Sequence, residues 1–80
     1  MILKSCKSVG TIDYGNNNFF EVMVDKNHKV VLCSHDDEYP AENPDGTYDS
    51  EGLSLNEFIQ EIKGRPDFMK IFTELMSILS

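Results

Sequence analysis

Alternating apolar and polar residues in the first half of the chain predict β-strands. The clearest alternation lies at residues 19–25, and a second apolar, β-branched segment follows at residues 29–34. Residues 19–25 have the period-two pattern of a strand with one buried face. The apolar face carries Phe20, Val22 and Val24, and the opposite face carries Glu21, Met23 and Asp25.

Glycine and asparagine before and after residues 19–25 predict tight turns. The run GNNN at residues 15–18 follows a first strand expected at residues 2–14, and KNHK leads into the return strand. Gly and Asn tolerate the positive φ angles that tight turns need. Within the first strand, Cys6 and Ile12 fall on the same face, and Gly10 indicates a bulge or a break. The three strands are expected to form an antiparallel meander.

A capping box predicts the start of a first helix. In SLNE, at residues 54–57, the Ser54 hydroxyl can accept from the N–H of Glu57, whose carboxylate can accept from the N–H of Ser54. Apolar residues at helical spacing then predict a helix at residues 55–63. Gly64 suits the left-handed position just past its end.

A second helix is expected at residues 66–79, with Pro66 in its first turn. Its apolar stripe consists of Phe68, Ile71, Phe72, Leu75, Met76 and Leu79. A face this wide needs a large apolar surface to cover it. The sheet is one such surface, and a second copy of the chain is another, so the stripe predicts either core packing or a homodimer.

These elements predict a single α+β domain over residues 1–80. The order β-β-β-loop-α-α places both helices on one face of a small antiparallel sheet. Residues 35–53 lack apolar periodicity and are expected to form a long loop. NPDG at residues 43–46 predicts a turn within that loop.

Composition and charge narrow the possible functions. The 80 residues carry a formal net charge of −7, with seven Lys and Arg against fourteen Asp and Glu. Binding to nucleic acids or anionic membranes relies on clustered Lys and Arg, so neither is expected. No apolar run approaches the ~18 residues that a membrane span needs, and a cytoplasmic protein is expected. Cys6 and Cys33 belong to no CxxC motif and are expected to be buried free thiols.

Acidic residues are concentrated in one segment. Between Val30 and Ile62 there is no lysine or arginine, while nine carboxylates occur. A solvated loop that keeps a small domain dispersed is one explanation. The other is a surface complementary to a basic protein, in which tyrosines supply the aromatic contacts that binding hot spots favour. The residues predicted to contact such a partner are Asp36, Asp37, Glu38, Tyr39, Glu42, Asp45, Tyr48, Asp49 and Glu51.

The sequence does not favour a metal site. An EF-hand register with Gly46 at its sixth position puts Ala41 and Gly52 at the first and twelfth positions, where neither can ligate. Cys33 and His35 form a conceivable pair, but two ligands do not make a structural zinc site. An irregular calcium site stays open as an alternative, built from Asp45, Asp49 and Glu51.

The sequence predicts a binding protein rather than an enzyme. No GxSxG, P-loop or HExxH motif occurs, and no cofactor is expected. The leading hypothesis is a small acidic inhibitor that occludes a basic, nucleic-acid-binding surface of another protein, such as a nuclease or a nucleic-acid-guided effector. Immunity proteins, antitoxins and phage-encoded inhibitors of host defence, anti-CRISPR proteins included, have this size and charge, which is an analogy of class. The alternatives are an assembly subunit that self-associates through its last helix and a metal-binding sensor.

Overall fold

The computed structural model describes residues 2–34 and 42–80. Within these residues the α+β class is confirmed, and each strand and helix predicted from the sequence is present with bounds that differ by two residues or fewer. The elements, in chain order, are β1 (Ile2–Asp13), β2 (Phe19–Val24), β3 (Val30–Ser34), β4 (Tyr48–Glu51), β5 (Leu53–Ser54), α1 (Leu55–Ile62) and α2 (Phe68–Leu79).

The strands form one antiparallel sheet in the order β4-β1-β2-β3-β5. Strands β4 and β5 lie at opposite ends of this order, although only Gly52 separates them in the sequence. The sheet therefore curls until its two edges approach each other at Gly52. A Cβ at this position would lie 2.3 Å from the carbonyl oxygen of Leu32, so the approach requires a residue without a side chain.

The prediction of a three-stranded meander followed by a loop at residues 35–53 is wrong, because β4 lies within that segment and β5 begins at its last residue. Strand β4 has the sequence YDSE, which contains no apolar alternation. It pairs with β1, and the two residues of β5 pair with β3. The edges of β1 and β3 supply the hydrogen-bond partners, so these short strands form without a strand-like side-chain pattern of their own. Residues 35–41 lie outside the described residues.

Two clusters of buried side chains fill the molecule. The main core joins the sheet to both helices and consists of Ile12, Val22, Leu32, Phe58, Ile62, Ile71 and Leu75. The inner cluster consists of Leu3, Cys6, Met23 and Val31. Adjacent residues Val22 and Met23 belong to different clusters, and both are fully buried. The prediction of one buried face for β2 is therefore wrong, because the curl of the sheet encloses the second face as well.

An irregularity divides β1 between the two clusters. The register of its pairing with β2 shifts between Ser8 and Gly10, where the sequence indicates a bulge. A one-residue shift reverses the face on which the following side chains lie. Cys6 therefore joins the inner cluster while Ile12 joins the main core. The prediction that these two residues share a face is wrong for this reason.

Helix α1 begins with the predicted capping box. The Glu57 N–H donates to the Ser54 hydroxyl at 3.2 Å, and the Ser54 N–H donates to the Glu57 carboxylate at 3.1 Å. The end of the helix differs from prediction, because Lys63 keeps a helical conformation and Gly64 does not have a positive φ. The next helix starts only at Phe68.

Asp67, the residue before α2, pairs with Arg65. Its carboxylate pairs with the Arg65 guanidinium through contacts of 2.8 and 3.1 Å, and its side chain does not cap the helix. Pro66 lies in the turn between the helices instead of in the first helical turn. Within the described residues, α2 is the longest helix at twelve residues, and no helix is long and apolar enough to cross a membrane.

Candidate functional site

Residues 42–51 form a hairpin, named here the acidic hairpin because it carries four of the predicted carboxylates: Glu42, Asp45, Asp49 and Glu51. The Asn43 N–H donates to the Thr47 carbonyl at 2.7 Å, and the Gly46 N–H donates to the Asn43 carbonyl at 2.9 Å. Gly46 has a φ of 85°, which suits the left-handed position at the end of a three-residue hairpin loop. The turn predicted from NPDG is confirmed.

Asp45 stabilises the turn with its own carboxylate. Its Oδ1 accepts hydrogen bonds from the Thr47 hydroxyl at 2.5 Å and from the Thr47 N–H at 3.0 Å. These bonds, the hydroxyl first, hold the pKa of Asp45 below its ordinary value. The carboxylate is therefore ionised at neutral pH. Both bonds use the same oxygen, which leaves Oδ2 for another donor.

Asp49 fastens the acidic hairpin to β1. Its Oδ1 accepts from the Ser5 N–H at 3.0 Å and from the Asn43 side-chain amide at 3.1 Å. Ser5 lies in an irregular part of β1, between Leu3 and Cys6, and has a φ of 54°. The irregularity removes its N–H from the regular ladder and makes it available to Asp49. The Ser5 N–H, followed by the Asn43 amide, holds the pKa of Asp49 below its ordinary value.

Side chains alternate between the two faces of β4. Asp49 and Glu51 are exposed, while Ser50 between them is fully buried. Tyr48 is half-buried and packs against the inner cluster. The Tyr48 carbonyl accepts a hydrogen bond from the Cys6 thiol at 2.8 Å, and burial raises the pKa of that thiol. Tyr48 thus anchors the hairpin to the inner cluster, on the face of β4 opposite to Asp49 and Glu51.

Lysines on β1 offset only part of the hairpin's charge. After the hydrogen bonds described above, Lys4 contributes to the low pKa of Asp49, and Lys7 contributes to that of Asp45. Among the described residues, the carboxylates of Glu42 and Glu51 have no hydrogen-bond or ion-pair partner. A hairpin with four carboxylates beside two ammonium groups can accept charge-assisted hydrogen bonds from arginine or lysine side chains.

The predicted site is brought together in part. Asp36, Asp37, Glu38 and Tyr39 lie outside the described residues. The remaining predicted residues share the acidic hairpin: Glu42, Asp45, Tyr48, Asp49 and Glu51. Within residues 2–34 and 42–80, no three His, Cys, Asp or Glu side chains are grouped as a metal ion would require. This holds for the three acids of the alternative calcium site as well.

The burial of one carboxylate, that of Glu21, is not predicted by the sequence. Glu21 in β2 is only 8% exposed, and it accepts hydrogen bonds from the hydroxyls of Ser8 and Thr11 on β1. Across the sheet it faces Cys33 of β3. A glutamate between apolar residues in a strand is typical of a solvent-facing position, so the alternation contains no sign of this burial.

An aromatic cleft of about 210 Å³ lies between β2 and the helices. The Tyr14 and Phe20 rings stack with their centroids 5.1 Å apart, and Phe58 meets Phe20 edge-on at 4.9 Å. Glu61 and Arg65 also line the cleft. These residues come from separate segments of the chain, so no local spacing predicts that they meet.

Low pH is expected to lower the free energy of unfolding, in part through protonation of Asp49. A carboxylate whose folded-state pKa lies below its usual 3.8 stabilises the fold fully above that value, and the stabilisation is lost as the pH falls through the folded-state pKa. The urea midpoint of the wild-type protein should therefore drop between about pH 5 and pH 2. Asp49→Asn should start from a lower midpoint at pH 7 and show a smaller drop.

Glu51→Gln is the matched control for this pH series. It removes a neighbouring exposed carboxylate that has no hydrogen-bond partner among the described residues. Its profile should follow that of the wild type. Coincident profiles for wild type and Asp49→Asn would show that the Ser5 contact does not contribute to stability.

Comparison with known proteins identifies no relative: no protein-family model, no curated protein and no solved structure matches the chain.

Proposed function

We propose that the protein is a small acidic inhibitor in the cytoplasm that binds a basic surface of another protein and occludes it. The observation that carries the proposal is the acidic hairpin, in which Asp45 and Asp49 are each fixed through one carboxylate oxygen. The second oxygen of each carboxylate is left to accept from a partner. Glu42 and Glu51 add two exposed carboxylates to the same hairpin.

The fixed geometry favours binding over simple solvation. Carboxylates that are already positioned lose less conformational entropy when they pair with arginine or lysine. An acidic surface also speeds the encounter with a basic partner and selects against acidic ones. Asp36, Asp37 and Glu38 precede the hairpin in the sequence and extend the same run of negative charge.

The carboxylates of the acidic hairpin predict a partner whose binding surface is rich in arginine and lysine. Carboxylates at successive positions can occupy Arg and Lys side chains that otherwise hold nucleic-acid phosphates. A nuclease or a nucleic-acid-binding effector fits this description. Immunity proteins, antitoxins and phage anti-defence proteins of the anti-CRISPR type act in this manner as a class, which supports the proposal by analogy alone.

Salt dependence and charge removal test the proposal together. Wild-type protein is immobilised, partners are captured at low ionic strength, and the affinity of the captured basic protein is measured across a salt series. We expect the affinity to fall at least about tenfold between about 0.05 and 0.5 M NaCl. Two variants should each weaken binding at low salt: Glu42→Gln with Glu51→Gln, and Asp36→Asn with Asp37→Asn and Glu38→Gln.

The control variant is Asp13→Asn. Asp13 lies at the far end of β1, where its Oδ1 accepts from the Gly15 N–H at 2.8 Å. Asparagine retains an acceptor for this bond, so the variant removes a charge away from the acidic hairpin. Its affinity should match the wild type. Equal retention of the same partner by wild type and by both hairpin-side variants contradicts the proposal.

Self-association through α2 is the second candidate function, and a group of exposed apolar side chains on that helix favours it. Met69 is 65% exposed and Met76 is 37% exposed, with half-buried Phe72 between them on the same side of the helix. Apolar residues grouped in this way often mark an interface. Sedimentation equilibrium should then show a dimer that Met69→Glu dissociates, with little dependence on salt. A strict monomer at all accessible concentrations contradicts this candidate.

A further inference from the structure

The aromatic cleft is lined, among the residues that the structure describes, by one carboxylate, that of Glu61, and by one cation, Arg65, which does not neutralise it. The Arg65 guanidinium pairs with Asp67 at 2.8 Å and lies 5.3 Å from the centroid of the Tyr14 ring. Its charge is therefore already offset. Glu61 also lines the cleft, and its carboxylate has no hydrogen-bond or ion-pair partner among the described residues. The charge left uncompensated at this site is negative.

Ring faces and an unpaired carboxylate together favour a cation on an apolar stem. Aromatic faces attract guanidinium and ammonium groups, and the contact between Arg65 and Tyr14 is an instance within this molecule. Ile62 and Ile71, both buried, line the cleft and suit methylene groups. The volume of about 210 Å³ is smaller than the roughly 300–1,000 Å³ typical of pockets for larger ligands. It suits a single side chain.

The aromatic cleft adjoins a second cleft that reaches the residue next to the acidic hairpin. This second cleft shares Phe20 and Glu61 with it and is also lined by Ser34 and Gly52. Gly52 directly follows Glu51, the last residue of the acidic hairpin. A partner that binds the acidic hairpin at Glu51 would therefore lie next to these two clefts.

We infer that the aromatic cleft receives one arginine or lysine side chain of the basic partner protein, with Glu61 as its counter-charge. This inference rests on the proposed function, since it names where one side chain of the partner binds. The apolar stem packs on Phe20 and Ile62, and the cationic head pairs with the Glu61 carboxylate. Arg65 competes weakly with the partner side chain for the aromatic wall, since its own guanidinium lies over the Tyr14 ring.

The test uses N-acetyl-arginine amide as the probe and follows the backbone amide signals of the ¹⁵N-labelled protein by NMR. We expect saturable shifts at Phe20, Glu61 and Arg65, with a dissociation constant in the millimolar range. N-acetyl-citrulline amide has nearly the same shape without the charge, and should bind about fivefold more weakly. Equal affinity for the two probes, or no shifts at the cleft up to about 50 mM arginine amide, overturns the inference.

Three variants that each remove one charge separate the contributions of the charged groups. Glu61→Gln should weaken arginine amide binding about fivefold, and Arg65→Gln should strengthen it about twofold by freeing the Tyr14 face. Asp25→Asn, at the turn between β2 and β3, is the matched control: Asp25 does not line the cleft, asparagine can still accept from the Asn27 and Lys29 N–H groups, and the affinity should be unchanged. An unchanged affinity in Glu61→Gln overturns the inference. Weaker binding in Arg65→Gln also overturns it, because that result indicates a site in which Arg65 holds the ligand.

The failures of the two proposals are distinguishable because the amide probe needs no partner protein. Loss of probe binding with retained, salt-sensitive capture removes the cleft contact and leaves the acidic inhibitor. Probe binding as expected without any salt-sensitive basic partner removes the inhibitor, and with it the assignment of the side chain to a partner. Once a partner protein has been captured, Glu61→Gln should weaken binding of that partner by about the same factor as it weakens binding of the arginine amide.

Discussion

Gly52→Ala is expected to destabilise the protein by about 3 kcal/mol, a large fraction of the stability of an 80-residue domain. The added Cβ would lie 2.3 Å from the Leu32 carbonyl oxygen and 2.9 Å from the Val31 side chain. The oxygen belongs to the backbone of β3 and cannot move aside as a flexible side chain could. The pairing of β3 with β5 must therefore separate, which opens the curl of the sheet. Urea unfolding of the wild type and the variant measures the effect.

Gly64→Ala is the control for this substitution. A Cβ at Gly64 would meet no atom within 4 Å, and its φ is not positive. The substitution should change the free energy of unfolding by about 0.5 kcal/mol or less, or stabilise the protein slightly. Similar losses in both variants would show that the close approach at Gly52 does not limit stability.

Phe58→Ala is expected to cost about 3–5 kcal/mol, which leaves the protein largely or entirely unfolded at room temperature. Phe58 is fully buried in the main core and meets the Phe20 ring edge-on at 4.9 Å. It projects from α1 into a cluster to which the sheet and α2 also contribute, so its removal leaves a cavity between three elements. Circular dichroism during urea unfolding measures the loss.

Two further variants check the cause of that loss. Phe58→Leu keeps most of the apolar volume and should cost about 1.5 kcal/mol or less. Met69→Ala removes a side chain that is 65% exposed, and it should change the stability by about 0.5 kcal/mol or less. A loss in Phe58→Ala no larger than that in Phe58→Leu contradicts the assignment of Phe58 to the centre of the core.

The acidic hairpin shows how structural and binding roles are divided among its carboxylates. Asp45 and Asp49 hold the hairpin through side-chain hydrogen bonds, whereas the carboxylates of Glu42 and Glu51 make none among the described residues. Replacing the aspartates therefore changes the stability as well as the charge. The glutamates are the residues at which charge can be removed with little effect on the fold, which is why the binding test relies on them.

The site was only partly predictable. Its negative charge and the turn at residues 43–46 follow directly from the residue types. The contact between Asp49 and Ser5 joins residues 44 positions apart, and it depends on an irregularity in β1 that the sequence does not mark at Ser5. The aromatic cleft depends on residues from separate elements, so it could be recognised only after the sheet and helices were placed together.

The amino-acid sequence by itself determined the three long strands, the turns between them, the capping box at Ser54 and Glu57, and both helices, because these depend on interactions between near neighbours. Only the tertiary structure decided the two short strands, the burial of Glu21 and Met23, and the separation of Cys6 from Ile12. The reason is that β4 and β5 are held by the edges of β1 and β3. Their formation, and the curl that encloses the second face of the sheet, arise from distant backbone contacts that leave no periodic pattern in the side chains.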